Sequence, residues 1–213
     1  MKHFKLRKDL SIVHNGILLY RIEATEDSLH AKKGTLGGFV ESENNLLENA
    51  WVSEEARVSG SAGVSGNALV SGNAGVSGEA WVSEEARVSG SAWVSGEARV
   101  FGNARVSGNA WVSGNAGVSG EARVSGNAWV SGSAWVSGNA IVETKSQCIN
   151  ITNLKHNITI TKNHIQIGCE FHTIEHWKKE IKDIGIKYWY TDAEIKGTIL
   201  ILRGALTQRG DLK

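Results

Sequence analysis

From Asn49 to Thr144 the apolar residues recur with an even period, in sixteen consecutive hexads of the form x-Ala-x-Val-Ser-Gly. Ala holds the second place from Ala50 to Ala140, and Val the fourth from Val52 to Val142. Ser gives way only at Phe101 and Glu143, and Gly only at Glu54, Glu84 and Thr144. Ala and Val two apart lie on one face of an extended chain, and the residue between them points outward. Ser-Gly-Asn or Ser-Gly-Glu supplies a turn. An α-helix cannot carry this pattern, because six residues rotate it by ~600°, or 120° out of register. The pattern predicts short strands and corners around an inward column of Ala and Val.

The phase extends weakly beyond the array. Val40 and Leu46 precede Val52 at the same spacing, with Gly38 two places before Val40. Cys148 and Leu154 follow Val142, with Ser146 and Thr152 at the Ala phase. Stacked solenoids end in such atypical repeats, which act as caps. Cys148 is therefore expected to fill the core of a capping coil. Upstream, Asn15-Gly16 between apolar runs predicts a type I′ hairpin. Downstream, Ile158, Ile160, Ile165 and Ile167 around Lys162-Asn163 predict a second hairpin. Thr173 is an N-cap signal for a helix carrying Ile174, Trp177, Ile181 and Ile184, with Gly185 as its stop. Thr191-Asp192-Ala193-Glu194 is a capping box opening a second helix, with Ile195, Ile199, Leu202 and Leu206 on one side.

The uninterrupted array resembles the hexapeptide-repeat, left-handed parallel β-helix family. That resemblance implies three hexads per triangular coil and a homotrimer. The expected fold is all-β dominated: an N-terminal β-hairpin cap over 1–35, a left-handed β-helix over 36–154, and a small β/α domain over 155–213. The thin core supports the trimer. Three Val per coil yield ~5–8 kcal/mol on burial, whereas ordering eighteen residues costs ~18 kcal/mol or more. Backbone ladders and subunit contacts are needed to offset the difference. Lys33-Gly34-Thr35-Leu36-Gly37-Gly38-Phe39-Val40-Glu41, with Ile167-Gly168-Cys169 and His172-Thr173-Ile174-Glu175-His176-Trp177, is similar to hexapeptide-repeat proteins of phages and prophages.

Composition narrows the function. Glycine reaches 25 of 213 residues and proline is absent, which excludes a collagen-like chain. A net charge of +1 gives no reason to expect a nucleic-acid partner. The start of the chain is too charged for a signal peptide, and the longest apolar run near the C-terminus, Ile199 to Leu202, is too short for a membrane span. Two cysteines form no disulfide framework. A cytoplasmic protein of a bacterial host is expected. The tail from 145 to 213 holds eleven Lys/Arg against seven Asp/Glu, an excess expected to lie on a solvated face.

The acyltransferases of this family use a histidine general base, yet no histidine occurs between His30 and His156. Its carbonic anhydrases need three histidines on zinc. Ice-binding helices need outward Thr, which the array lacks. Neither a catalytic residue nor a cofactor is assigned. Cys169, His172 and His176 offer at most three metal ligands, and no metal is expected there.

The remaining variation lies in the outward residues. Taken every eighteenth position, they form three columns, one holding Arg87, Arg105 and Arg123 and the next Trp93, Trp111 and Trp129. Rungs ~4.8 Å apart bring the indoles within stacking range, and Glu85 and Glu121 stand near enough in sequence to relieve the arginines. Three uses are open: a subunit contact along the Trp column, capture of an anionic ligand such as a nucleotide by Arg and Trp, or a by-product of hexad duplication. The sequence thus supports a non-catalytic oligomeric binding protein, a phage accessory or anti-defence factor. The alternative is an acyl-CoA-dependent transferase with its base outside the array, at His30, His156 or His164.

Overall fold

The computed structural model describes residues 2–209. Its centre is a parallel β-solenoid. Sixteen two-residue strands, β4 to β19, recur every six residues from Trp51–Val52 to Ile141–Val142. In each, Val points inward and the residue before it outward; all sixteen Ala and all sixteen Val are at most 1% exposed. Each hexad bonds its backbone to the hexad eighteen residues on: Arg105 N donates to Ala122 O at 2.9 Å, Ser107 N to Val124 O at 2.8 Å, and Asn109 N to Gly126 O at 2.8 Å. The Gly of each corner sits at positive φ, as at Gly108 (φ 67), where a side chain would be strained. Glu54 and Glu84 hold the same place at φ 58 and φ 61.

The rungs stack into three sheets, so each coil is a triangle of three hexads. One sheet displays Trp51, Leu69, Arg87, Arg105, Arg123 and Ile141. The second displays Phe39, Arg57, Gly75, Trp93, Trp111 and Trp129. The third displays Gly63, Trp81, Arg99, Gly117 and Trp135. This is the three-column arrangement predicted from the eighteen-residue step.

At the N-terminal end, β1 (Phe4–His14) and β2 (Ile17–Ala24) form a hairpin. Its turn residues Asn15 (φ 51) and Gly16 (φ 79) are both left-handed, as a type I′ turn requires. β3 (Leu36–Val40) joins the hairpin to the solenoid: it runs antiparallel to β2 and parallel to Arg57–Val58. Val40 and Leu46 are buried at the Val phase. Gly38 stands at the Ala phase because a Cβ there would fall 2.5 Å from Ala56 O. The hairpin covers Trp51, which is 1% exposed although it belongs to an outward column. The tip reaches further, and Arg57 Nη1 donates to His14 Nδ1 at 3.1 Å.

At the other end the hexad register stops sooner than the sequence suggests. Cys148 packs against the solenoid core, and burial pushes its thiol up to about 12. Leu154, however, is 38% exposed. The chain leaves the coil because β20 (Ile149–Ile151) pairs antiparallel with β21 (Ile158–Ile160) instead of continuing the parallel ladder. β22 (His164–Ile167) and β23 (Glu170–Thr173) complete a four-stranded antiparallel sheet. This sheet covers the last coil: Thr159 Oγ1 accepts from Trp135 N at 3.0 Å, and Ser137 Oγ donates to Gln166 Oε1 at 2.8 Å. Covering an open β edge prevents strand addition there.

Two helices follow. In α1 (Ile174–Lys187), Thr173 caps the N-terminus, accepting from His176 N. In α2 (Asp192–Arg209), Glu194 and Thr191 form the reciprocal capping box. Gly185 does not end α1, which continues to Lys187. Its role is proximity, since a Cβ there would lie 2.8 Å from Ile195 Cγ1. Among the described residues, no helix is long and apolar enough to cross a membrane.

Candidate functional site

The arginine column is in register as predicted, with Arg87 opposite Arg105 and Arg105 opposite Arg123. All three side chains are exposed. Among the described residues none of them has a hydrogen-bond or ion-pair partner. The acids expected to relieve them do not: Glu85 instead accepts from Asn67 Nδ2 at 2.6 Å, and Glu121 makes no ion pair with the column. Solvent is what makes the ladder tolerable, because like charges a rung apart repel by ~1 kcal/mol per pair in water and several times more when shielded from it.

The tryptophan column differs along its length. Trp93 is half-buried: it lies across Gly75, with the His14 ring of the hairpin tip 6.2 Å away. Trp111 and Trp129 are 49% and 42% exposed. Their rings do not stack face to face as the rung spacing suggested. They meet edge to face, with centroids 5.9 Å apart and planes at 79°, the arrangement that ring quadrupoles favour. The Lys145 ammonium stands 4.4 Å from the Trp129 centroid, a cation–π contact. Asn109 Nδ2 donates to Asn127 Oδ1 at 3.3 Å beside them. Together Asn109, Trp111, Asn127, Ala128, Trp129 and Lys145 line a surface depression of about 380 Å³.

None of the three column arginines lines this depression. They stand on the adjacent sheet, across the corner that carries Asn109 and Asn127. Of the predicted residues, the structure therefore brings Trp111 and Trp129 together, keeps Trp93 under the hairpin, and sets Arg87, Arg105 and Arg123 on a separate face. Lys145 went unnoticed in the sequence because it lies just past the last hexad, where no periodicity points to it.

Of the histidines offered as catalytic bases, His30 and His156 are hydrogen-bonded, whereas the buried Nδ1 of His164 has no hydrogen-bond partner among the described residues. His30 Nε2 bonds Asn67 O at 2.9 Å. His156 Nδ1 bonds the Tyr190 hydroxyl at 2.8 Å, and its ring stacks on that tyrosine. His164 stacks on Phe171 at 4.7 Å, and burial lowers its pKa. Near the C-terminal sheet, Glu170 gathers the polar groups. It accepts from the Tyr188 hydroxyl at 2.7 Å, from Lys187 Nζ at 2.9 Å, and bonds His172 Nε2 at 2.7 Å. These contacts, Tyr188 first, hold its carboxyl down at about 2. His172 and His176 stack at 4.2 Å, and Cys169 Sγ donates to Tyr188 at 3.6 Å. Among the described residues no group of three metal-ligating side chains forms.

A family model described as the YdcK beta solenoid repeat matches residues 62–78, 98–114 and 122–138. The array carries β-solenoid repeats. All three matched stretches fall between Ala62 and Gly138, inside the coils that present the Arg and Trp columns, and none reaches the hairpin or the C-terminal sheet. No curated protein matches the chain.

Proposed function

We propose that the protein is a non-catalytic binding scaffold that captures an anionic small ligand bearing a flat ring, such as a nucleotide, at Trp111, Trp129 and Lys145. The observation that carries the reading is the edge-to-face pair of exposed indoles at 5.9 Å with an ammonium 4.4 Å from one of them. Stacking a base on an indole is worth ~1–3 kcal/mol, and the amides of Asn109 and Asn127 supply donors and acceptors for its edge. Lys145 then turns from the Trp129 ring to a phosphate. Arg87, Arg105 and Arg123 add a cationic field on the neighbouring face, which concentrates anions near the site.

The scaffold is read as a homotrimer of the hexapeptide-repeat, left-handed kind, because a core of three valines per coil leaves subunit contacts to supply stability. The similarity of the 33–41 and 167–177 segments to phage proteins supports an accessory role in the host cytoplasm. Native mass spectrometry checks the trimer.

The ligand reading is tested by titrating the protein with adenine and guanine nucleotides at low and high salt, following tryptophan fluorescence. Quenching that weakens with salt, and that is lost in Trp129→Ser and Lys145→Gln but kept in Trp81→Ser on the third sheet, supports it. Arg105→Gln should weaken binding more than Arg99→Gln, which changes the third sheet. No quenching by any nucleotide overturns the reading.

A further inference from the structure

The C-terminal helices leave a trough between them that has nothing to do with the Trp depression. Its volume is about 630 Å³. The half-buried Ile174 and Ile181 of α1 and Ile199 of α2 line it above a floor closed by Trp177 and Leu202, which are 3% and 6% exposed. Its rims are cationic on both sides, with Lys179 and Lys182 on α1 and Arg203 on α2. No carboxylate lines it. Lys178 also borders it but is held by Glu175 at 2.7 Å. Among the described residues Lys179, Lys182 and Arg203 have no ion-pair partner.

We infer that this trough docks an acidic amphipathic helix of a partner protein. Three features point to a helix. Ile174 to Ile181 and Ile199 to Leu206 are each seven residue steps apart, or ~10 Å of helix, which matches two turns of a docked helix anchored at i, i+3, i+4 and i+7. Positive charge on both rims matches a helix whose apolar stripe is flanked by acids on each side, whereas a single anionic head would engage one rim only. The floor is already closed, so the trough supports an element lying along it. A lipid chain needs a pocket that buries 70–90% of the ligand, whereas this trough lies at the surface between the exposed Lys179, Lys182 and Arg203. Unpaired rim cations gain partners on docking at little desolvation cost, which sets specificity and association rate.

The test uses the full-length protein and a fluorescein-labelled synthetic peptide with leucines at i, i+3, i+4 and i+7 and glutamates on both flanks, read by anisotropy. Saturable binding is expected, falling roughly tenfold or more in a Lys179→Glu/Lys182→Glu variant. The Lys179→Gln/Lys182→Gln variant should lose less, and Lys196→Glu, outside the trough, should bind as the unchanged protein does. The charge-reversed variant should in turn accept the peptide with lysines in place of its glutamates, a rescue that a misfolded variant could not show. Equal binding of a scrambled peptide of the same composition overturns the inference. So does indifference to the charge reversal, displacement of the peptide by dodecanoate, or a second copy of the chain occupying the trough by light scattering. None of these outcomes bears on nucleotide quenching at Trp129, so the two proposals fail separately.

Discussion

Gly117 and Trp135 face each other across one rung of the third sheet, and the indole lies where a Gly117 side chain would be: a Cβ would fall 2.5 Å from Trp135 Cε3. The same pairing recurs at Gly63 with Trp81 and at Gly75 with Trp93. Each outward glycine in the array is thus followed, eighteen residues later, by a tryptophan that folds back over it. The glycine is there to make room.

Gly117→Ala is therefore expected to destabilise the solenoid by ~1–3 kcal/mol, the usual cost of forcing extra volume into a packed site. Thermal unfolding measures the loss. The adjacent change Trp135→Ala empties the space, so the double variant should lose less than the sum of the two single ones. Strict additivity would show that the indole does not rest on the glycine.

Core burial gives a harsher expectation. Val106 is fully buried in mid-stack, between Val88 and Val124. Val106→Asp places a carboxylate among valines and alanines with no partner, at a cost of several kcal/mol. Loss of the cooperative unfolding transition by circular dichroism is expected. A melting curve like that of the unchanged protein would contradict the inward packing.

Strain at the corners predicts the opposite sign. Glu84 occupies a left-handed position, φ 61, that glycine fills in most hexads. Its carbonyl accepts from Asn67 N at 2.7 Å, a bond that glycine keeps. Left-handed backbone costs a residue with a side chain ~1–2 kcal/mol, and part of that is returned because glycine is more disordered when unfolded. Glu84→Gly should stabilise by about 0.5–1 kcal/mol in chemical denaturation.

The solenoid was legible because one side-chain pattern repeats without interruption: Ala50 to Val142 fix the inward face, and the eighteen-residue step fixes which outward residues are neighbours. The ends were less legible, because their structure depends on contacts between distant segments. Nothing local to Ile149–Ile151 says that it pairs with Ile158–Ile160 instead of extending the coil, so Leu154 was misplaced. Gly185 reads as a helix stop, yet its smallness serves the approach of Ile195. The candidate site was half legible. Periodicity aligned Trp111 with Trp129, but ring orientation follows from quadrupoles and local room, and Lys145 and His14 reach the Trp column from outside the repeat.

The last expectation concerns acid. Glu170 carries a carboxyl held down at about 2, against 4.5 for an ordinary glutamate, by Tyr188, Lys187 and His172. A depressed carboxylate stabilises the fold at pH values above its unfolded pKa, and that contribution disappears as pH falls through the folded value. The window therefore runs from about 4.5 down to about 2. Glu170→Gln should be less stable than the unchanged protein at neutral pH, because a neutral amide cannot match the carboxylate as a partner for Lys187. The gap between the two should close as pH drops from 4.5 towards 2. Because Glu170 and Tyr188 share a hydrogen bond, Tyr188→Phe should reproduce part of the effect. A gap that stays constant across the window would mean that the carboxylate charge contributes nothing to holding α1 against the C-terminal sheet.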